Sequence, residues 1–70
     1  MSKAKLILNH IIKEKAQGNT FQELNVQMKI MMKGVFVKAI LEEQVSDDPE
    51  LIGKLKNIAA DFEVDISHLL

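Results

Sequence analysis

The stretch Thr20 to Gly34, Thr-Phe-Gln-Glu-Leu-Asn-Val-Gln-Met-Lys-Ile-Met-Met-Lys-Gly, constrains the fold of this chain more than any other. It carries both ends of a helix in its own chemistry. Thr20 and Glu23 match an S/T-x-x-E capping box, in which the hydroxyl accepts from the N–H three residues on and the carboxylate reaches back to the first N–H. Gly34 should end the helix. Between these ends, Phe21, Leu24, Met28, Met31 and Met32 fall within about one third of the helical circumference. Val26 and Ile30, four apart, lie on the opposite side with Glu23 and Lys33 beside them. A helix in so short a chain can rest one apolar face on its own core. Flexible thioethers fill irregular cores well, so the methionine face is the expected core side. The Val26–Ile30 face then asks for a partner.

The neighbouring segments read as helices too. Ala4, Ile7, Leu8, Ile11 and Ile12 form an amphipathic stripe over Lys3 to Ala16, with Leu6 off the stripe and partly exposed. Gln17-Gly18-Asn19 ends it, with Gly18 free to take the left-handed conformation of a C-cap. Lys38 to Gln44 is good helix material and gives a short third helix from about Val37. The alternative is a second helix that runs through Gly34 to Gln44, on which Val37 extends the Val26–Ile30 stripe. Ser46-Asp47-Asp48-Pro49-Glu50 is the clearest signal: Asp48 at N-cap, Pro49 at the first helical position, Glu50 in the first turn. Leu51, Ile52, Leu55, Ile58, Ala59 and Phe62 then share one face. Asp65 or Ser67 caps a last turn over Ile66 to Leu70, with Leu69 and Leu70 tucked onto the core.

Composition narrows the function classes. With 70 residues the chain forms at most one domain, and its core is aliphatic, because Phe occurs three times and Trp and Tyr not at all. A formal net charge of −1, with every basic residue a Lys, lacks the signature of a nucleic-acid binder. It also lacks Arg, the best bidentate reader of guanine and phosphate. The absence of Cys excludes disulfides, thiolate metal sites and cysteine nucleophiles. The apolar run Leu6-Ile7-Leu8 is too short for a signal peptide, and no stretch approaches a membrane span. A cytoplasmic location is the expectation, with residues 1–3 as a loose N-terminus.

No constellation for catalysis stands out. His10 and His68 are the two histidines, far apart in sequence, and zinc needs three or four ligands. Asp61, Glu63 and Asp65 alternate as in a calcium loop, but the Gly and the closing Glu of that loop are missing. Asp47 and Asp48 read as helix caps. Gly18, Gly34 and Gly53 are isolated and form no phosphate loop. Gly53 costs its helix about 1 kcal/mol relative to Ala. No catalytic residue, cofactor, metal or small-molecule substrate is expected.

Several features resemble the small Cro/repressor-type helix-turn-helix domain. Gly18-x-Thr20-x-x-Glu23-Leu24 is similar to the start of that family's second helix, and Gly34-Val35 with Ile40 to its turn and recognition helix. Pro49, Leu51, Leu55, Ile58-Ala59, Phe62, Val64 and Leu69-Leu70 are similar to its last two helices. The resemblance implies a helix-turn-helix fold and DNA binding, with Lys29, Lys33 and Lys38 able to touch phosphates. The segment corresponding to the recognition helix offers Phe36, Val37, Lys38, Ala39 and Leu41, none of which reads a base edge.

The expectation is therefore a single all-α domain of four to five helices over residues 1–70, helix-turn-helix-like or an irregular orthogonal bundle. Its expected role is that of a small non-enzymatic regulatory module. It self-associates as a homodimer or binds a protein partner through Val26, Ile30 and Val37, with Lys29 and Lys33 at the rim. The alternative is a DNA-binding regulator using Lys29, Lys33 and Lys38.

Overall fold

The computed structural model describes residues 2–70. Among them it contains four α-helices and no strand: α1 Lys3–Ala16, α2 Thr20–Met32, α3 Val37–Leu41 and α4 Pro49–Asp61, followed by a single 3-10 turn, Ser67–Leu69. No described helix is long and apolar enough to cross a membrane. The helix around which the domain is built is α1. It packs against α2, α3, α4 and the C-terminal turn. It can do so because its apolar stripe is wide: Ala4, Ile7, Leu8, Ile11, Ile12 and Ala16 are all buried. Ile7, Leu8, Ile11 and Ile12 carry most of this stripe into the core.

The N-terminus of α1 is held in place. Ser2 is the N-cap, its hydroxyl accepting from the Lys5 N–H at 3.2 Å. Asp47, far along the chain, supplies a second cap: one carboxylate oxygen accepts from the Ala4 N–H at 3.0 Å and from Ser2 Oγ at 2.9 Å. The other oxygen accepts from the Lys3 N–H at 2.8 Å. Glu43 accepts from the Ser2 N–H at 3.1 Å. Two carboxylates thus meet the positive end of the helix dipole and take up N–H groups that have no intrahelical partner. The expected loose N-terminus is therefore ordered at Ser2 and Lys3, while Met1 lies outside the described residues. Those N–H bonds also lower the Asp47 pKa, Ala4 contributing most and Lys3 next.

Helix α2 starts one residue earlier in its capping than expected. Asn19, not Thr20, is the N-cap, accepting from the Gln22 N–H at 3.2 Å, and Thr20 is the first helical residue. Asn is among the strongest N-cap residues and outranks Thr. Helix α2 ends at Met32, with Gly34 at φ 90°, so it does not run on to Gln44. Helix α3 is shorter than expected, five residues that stop at Leu41. Its end is a Schellman motif: Glu43 takes φ 55°, its N–H bonds to the Ile40 carbonyl, and the Gln44 N–H bonds to the Ala39 carbonyl at 2.8 Å. The same motif ends α4, with Glu63 at φ 58° and the Val64 N–H on the Ala59 carbonyl at 2.8 Å. Gln17 also takes the left-handed conformation beside Gly18.

The start of α4 is as the sequence implies. Asp48 Oδ1 accepts from the Leu51 N–H at 2.8 Å, and Pro49 opens the helix. Leu55, Ile58 and Ala59 face the core, joined by the partly buried Leu51, Ile52 and Phe62. At the C-terminus Asp65 Oδ1 accepts from the Ser67 N–H at 2.9 Å, and Ile66 is buried. Leu70, expected on the core, is instead 51% exposed, because the single turn brings only Ile66 and Leu69 inward.

A candidate protein-docking face on α2

The two apolar faces of α2 hold the opposite positions from those expected. Val26 is buried, and Ile30 is fully so. Both join Val35, Val37 and Ile40 in the core cluster. Val26, Ile30 and Val37 therefore cannot form a partner surface in the folded chain, which corrects the sequence expectation for all three. The cause is the position of α2 at the outside of the domain. It packs mainly on α1 and touches α3, while α4 packs on α1 and reaches α2 only with its last residues, through Asp61 and Phe62 beside Lys29 and Lys33. A helix that rests chiefly on one neighbour needs only a narrow buried stripe. Val26 and Ile30, extended past the turn by Val35, Val37 and Ile40, supply it.

What remains outside is the larger face. Phe21 is 80% exposed, Met32 86% and Phe36 80%, and Leu24, Met28 and Met31 are each more than half exposed. Phe36 adjoins the same surface: it lines an open groove with Met31, together with Lys38, Ala39 and Glu42. From the areas these side chain types bury, the six present on the order of 800 Å² of apolar surface. A typical monomer's largest apolar patch is smaller, roughly 300–600 Å².

The part of this face that lies on α2 is also free of charge, and Lys38 and Glu42 border it only at the Phe36 end. The charged residues within α2 are Glu23 and Lys29, with Lys33 at its C-cap. At 100° per residue all three fall on the half of the helix turned toward the body of the domain. The outward arc is made of Thr20, Asn25 and Gln27 flanking the apolar residues. An ordinary solvated helix has the reverse pattern, with its charges outward.

Of the lysines assigned to a rim or to phosphate contact, Lys29 and Lys33 lie side by side near Asp61 and Phe62, and Lys38 stands apart from them. Lys33 Nζ pairs with Asp61 at 3.0 Å and lies 5.9 Å from the Phe62 ring centroid. Lys29 lines a cleft with Lys15, Gln22, Asp61 and Phe62. Lys38 lines the other groove, beside Met31 and Phe36. Helix α3 buries Val37 and Ile40, and Lys38 is its one exposed residue.

One grouping has no signal in the sequence. His10 and His68 meet edge to face with ring centroids 4.8 Å apart, and His10 Nε2 lies 3.2 Å from the Asp65 carbonyl oxygen. Glu14 stands 3.9 Å from the same nitrogen. Fifty-eight positions separate the two rings, and only the return of the C-terminal turn onto α1 joins them. The Asp65 carboxylate is held below its usual pKa, chiefly by its bonds from Ser67. Among the described residues no group of three or more His, Cys, Asp or Glu is placed to hold a metal ion.

Comparison with known proteins gives no relative to set beside this face: no protein-family model, no curated protein and no solved structure matches the chain.

Proposed function

We propose that this chain is a small non-enzymatic regulatory module that works by docking another protein on the outer face of α2. One observation carries the reading: Phe21, Leu24, Met28, Met31 and Met32 form an exposed apolar face on the side of α2 away from the core, with no charged residue of α2 among them, and Phe36 adjoins it through the groove it shares with Met31. Exposed aliphatic and aromatic side chains cost free energy in water, at roughly 25 cal/mol per Å². Scattered single residues need no explanation, but a patch of this size fits an interaction site. Methionines suit such a surface because their unbranched thioethers adapt to a partner's contours. The expected mode is helix against helix or helix in groove, with anchors at i, i+3, i+7 and i+10.

DNA binding has less support. Lys33 is engaged by Asp61, and Lys29 and Lys38 line separate grooves. A protein that neutralises several phosphates needs its cations on one surface.

The test is a photo-crosslinking amino acid placed at Phe21 or Phe36 in the full chain expressed in cells, with Lys56 on α4 as control. Protein adducts at Phe21 and Phe36 well above those at Lys56 are expected. Adducts no more frequent than the control would end the docking reading.

A further inference from the structure

We infer that the occupant of this face is a second copy of the chain, its α2 running antiparallel to the first about a two-fold axis that crosses the outer face midway between Leu24 and Met28. The inference rests on the docking reading and names the partner.

The first argument is charge. The outward arc of α2 carries no charged side chain, and Lys38 and Glu42 border the surface only at its Phe36 end, so most of it offers an acidic or basic partner nothing to pair with. Two identical surfaces usually repel through like charges brought face to face. Along α2 that cost is absent, and Thr20, Asn25 and Gln27 give the rim neutral hydrogen-bonding groups.

The second argument is spacing. Phe21, Leu24, Met28 and Met31 are separated by 3, 4 and 3 residues, the rhythm of a coiled-coil seam. That rhythm reads the same in both directions and is symmetric about position 26. An antiparallel copy places Leu24 across from the partner's Met28, and Phe21 across from the partner's Met31. Each Phe ring then meets a thioether, a favourable contact. A parallel copy would align the two helix dipoles, whereas antiparallel pairing opposes them.

The third argument is area. If each copy covers most of its apolar face, the pair buries on the order of 1,200 Å² in total, the lower bound of a specific stable interface. Phe36, sharing a groove with Met31, lengthens the seam at both ends. The two-fold closes the assembly, so growth stops at the dimer.

Sedimentation equilibrium of the purified full chain from low to high micromolar concentration tests the pairing. A mass rising toward twice that of the chain is expected, with the Leu24→Asp, Met28→Asp double variant remaining monomeric and helical by circular dichroism. Wild-type protein that stays monomeric at every concentration would overturn the inference. Orientation is read separately, because the native chain has no Cys. Phe21→Cys and Met31→Cys proteins, mixed and oxidised, are expected to form the mixed disulfide, with little Phe21→Cys homodimer. Efficient self-linking of Phe21→Cys would overturn the antiparallel arrangement. Adducts to a different protein at Phe21, together with a monomeric wild type, reject the second copy and leave the docking reading intact. Absence of adducts above the Lys56 control rejects both.

Discussion

Ile30 gives the sharpest test of which face of α2 is core. Its side chain is fully buried. Ile30→Ala removes three carbons from that site, and at about 0.8 kcal/mol per buried methylene the transfer loss alone is roughly 2.4 kcal/mol. The cavity left behind raises the expected cost to about 3–4 kcal/mol, because a close-packed core relaxes only in part. A 70-residue domain has about 4–10 kcal/mol of stability in all, so this one change removes roughly a third or more. Met32→Ala, at a side chain 86% exposed, should cost no more than about 0.5 kcal/mol. The assay is urea and thermal unfolding followed by far-UV circular dichroism. Both variants are compared at low micromolar protein, where association through the methionine face contributes least. The Ile30→Ala midpoint should fall by about 12 °C or more, from 4–8 °C per kcal/mol for a domain of this size. The opposite ranking, with Met32→Ala or Met28→Ala costly and Ile30→Ala neutral, would place the core on the methionine side and remove the basis of the docking face.

Three further outcomes are expected. Glu43→Gly and Glu63→Gly each relieve a non-glycine residue held at positive φ, 55° and 58°, and should raise stability by about 0.5–1 kcal/mol in the same unfolding assay. Destabilisation would mean that the Glu43 contact with the Ser2 N–H outweighs the backbone relief at that position. Gly53→Ala meets no atom within 4 Å of the added Cβ, inside a helix of ordinary geometry, so a gain of up to about 1 kcal/mol is expected, and a loss would reveal a close neighbour. Asp47 links stability to pH. Its folded pKa lies below the ordinary 3.8, so its contribution is present above that value and is lost as pH falls through the lowered folded pKa. Wild-type protein should therefore lose thermal stability more steeply than Asp47→Asn as pH drops below about 4, and parallel curves for the two would contradict the capping role.

Much of the fold was legible in the sequence because it rests on local chemistry. Asp48-Pro49-Glu50 starts α4 where a cap and a residue without an N–H are both satisfied, whatever surrounds them. Gly34 stops α2 because its positive φ is costly for any other residue. The stripe of α1 is a single face, so its periodicity has a single reading. The long-range cap from Asp47 was not legible, since a run of two aspartates before a proline points to the nearer helix. Neither was the meeting of His10 with His68, which depends on how the chain returns.

The candidate face shows the same division. Alone, the sequence determined that Thr20 to Gly34 is a helix with apolar residues on two opposite sides, and that one of them exceeds what so small a core can cover. Which side stays outside was decided only by tertiary packing. Counting favours the side with Phe21, Leu24 and three methionines, but burial depends on neighbours. With α1 and α3 beside it and only the end of α4 reaching its Lys29 and Lys33 edge, α2 has room for one narrow apolar contact. The compact Val26 and Ile30 fill it together with Val35, Val37 and Ile40 from beyond the turn. That cooperation between residues on both sides of Gly34 exists only after the chain has folded back, and it leaves the wide methionine face directed at solvent.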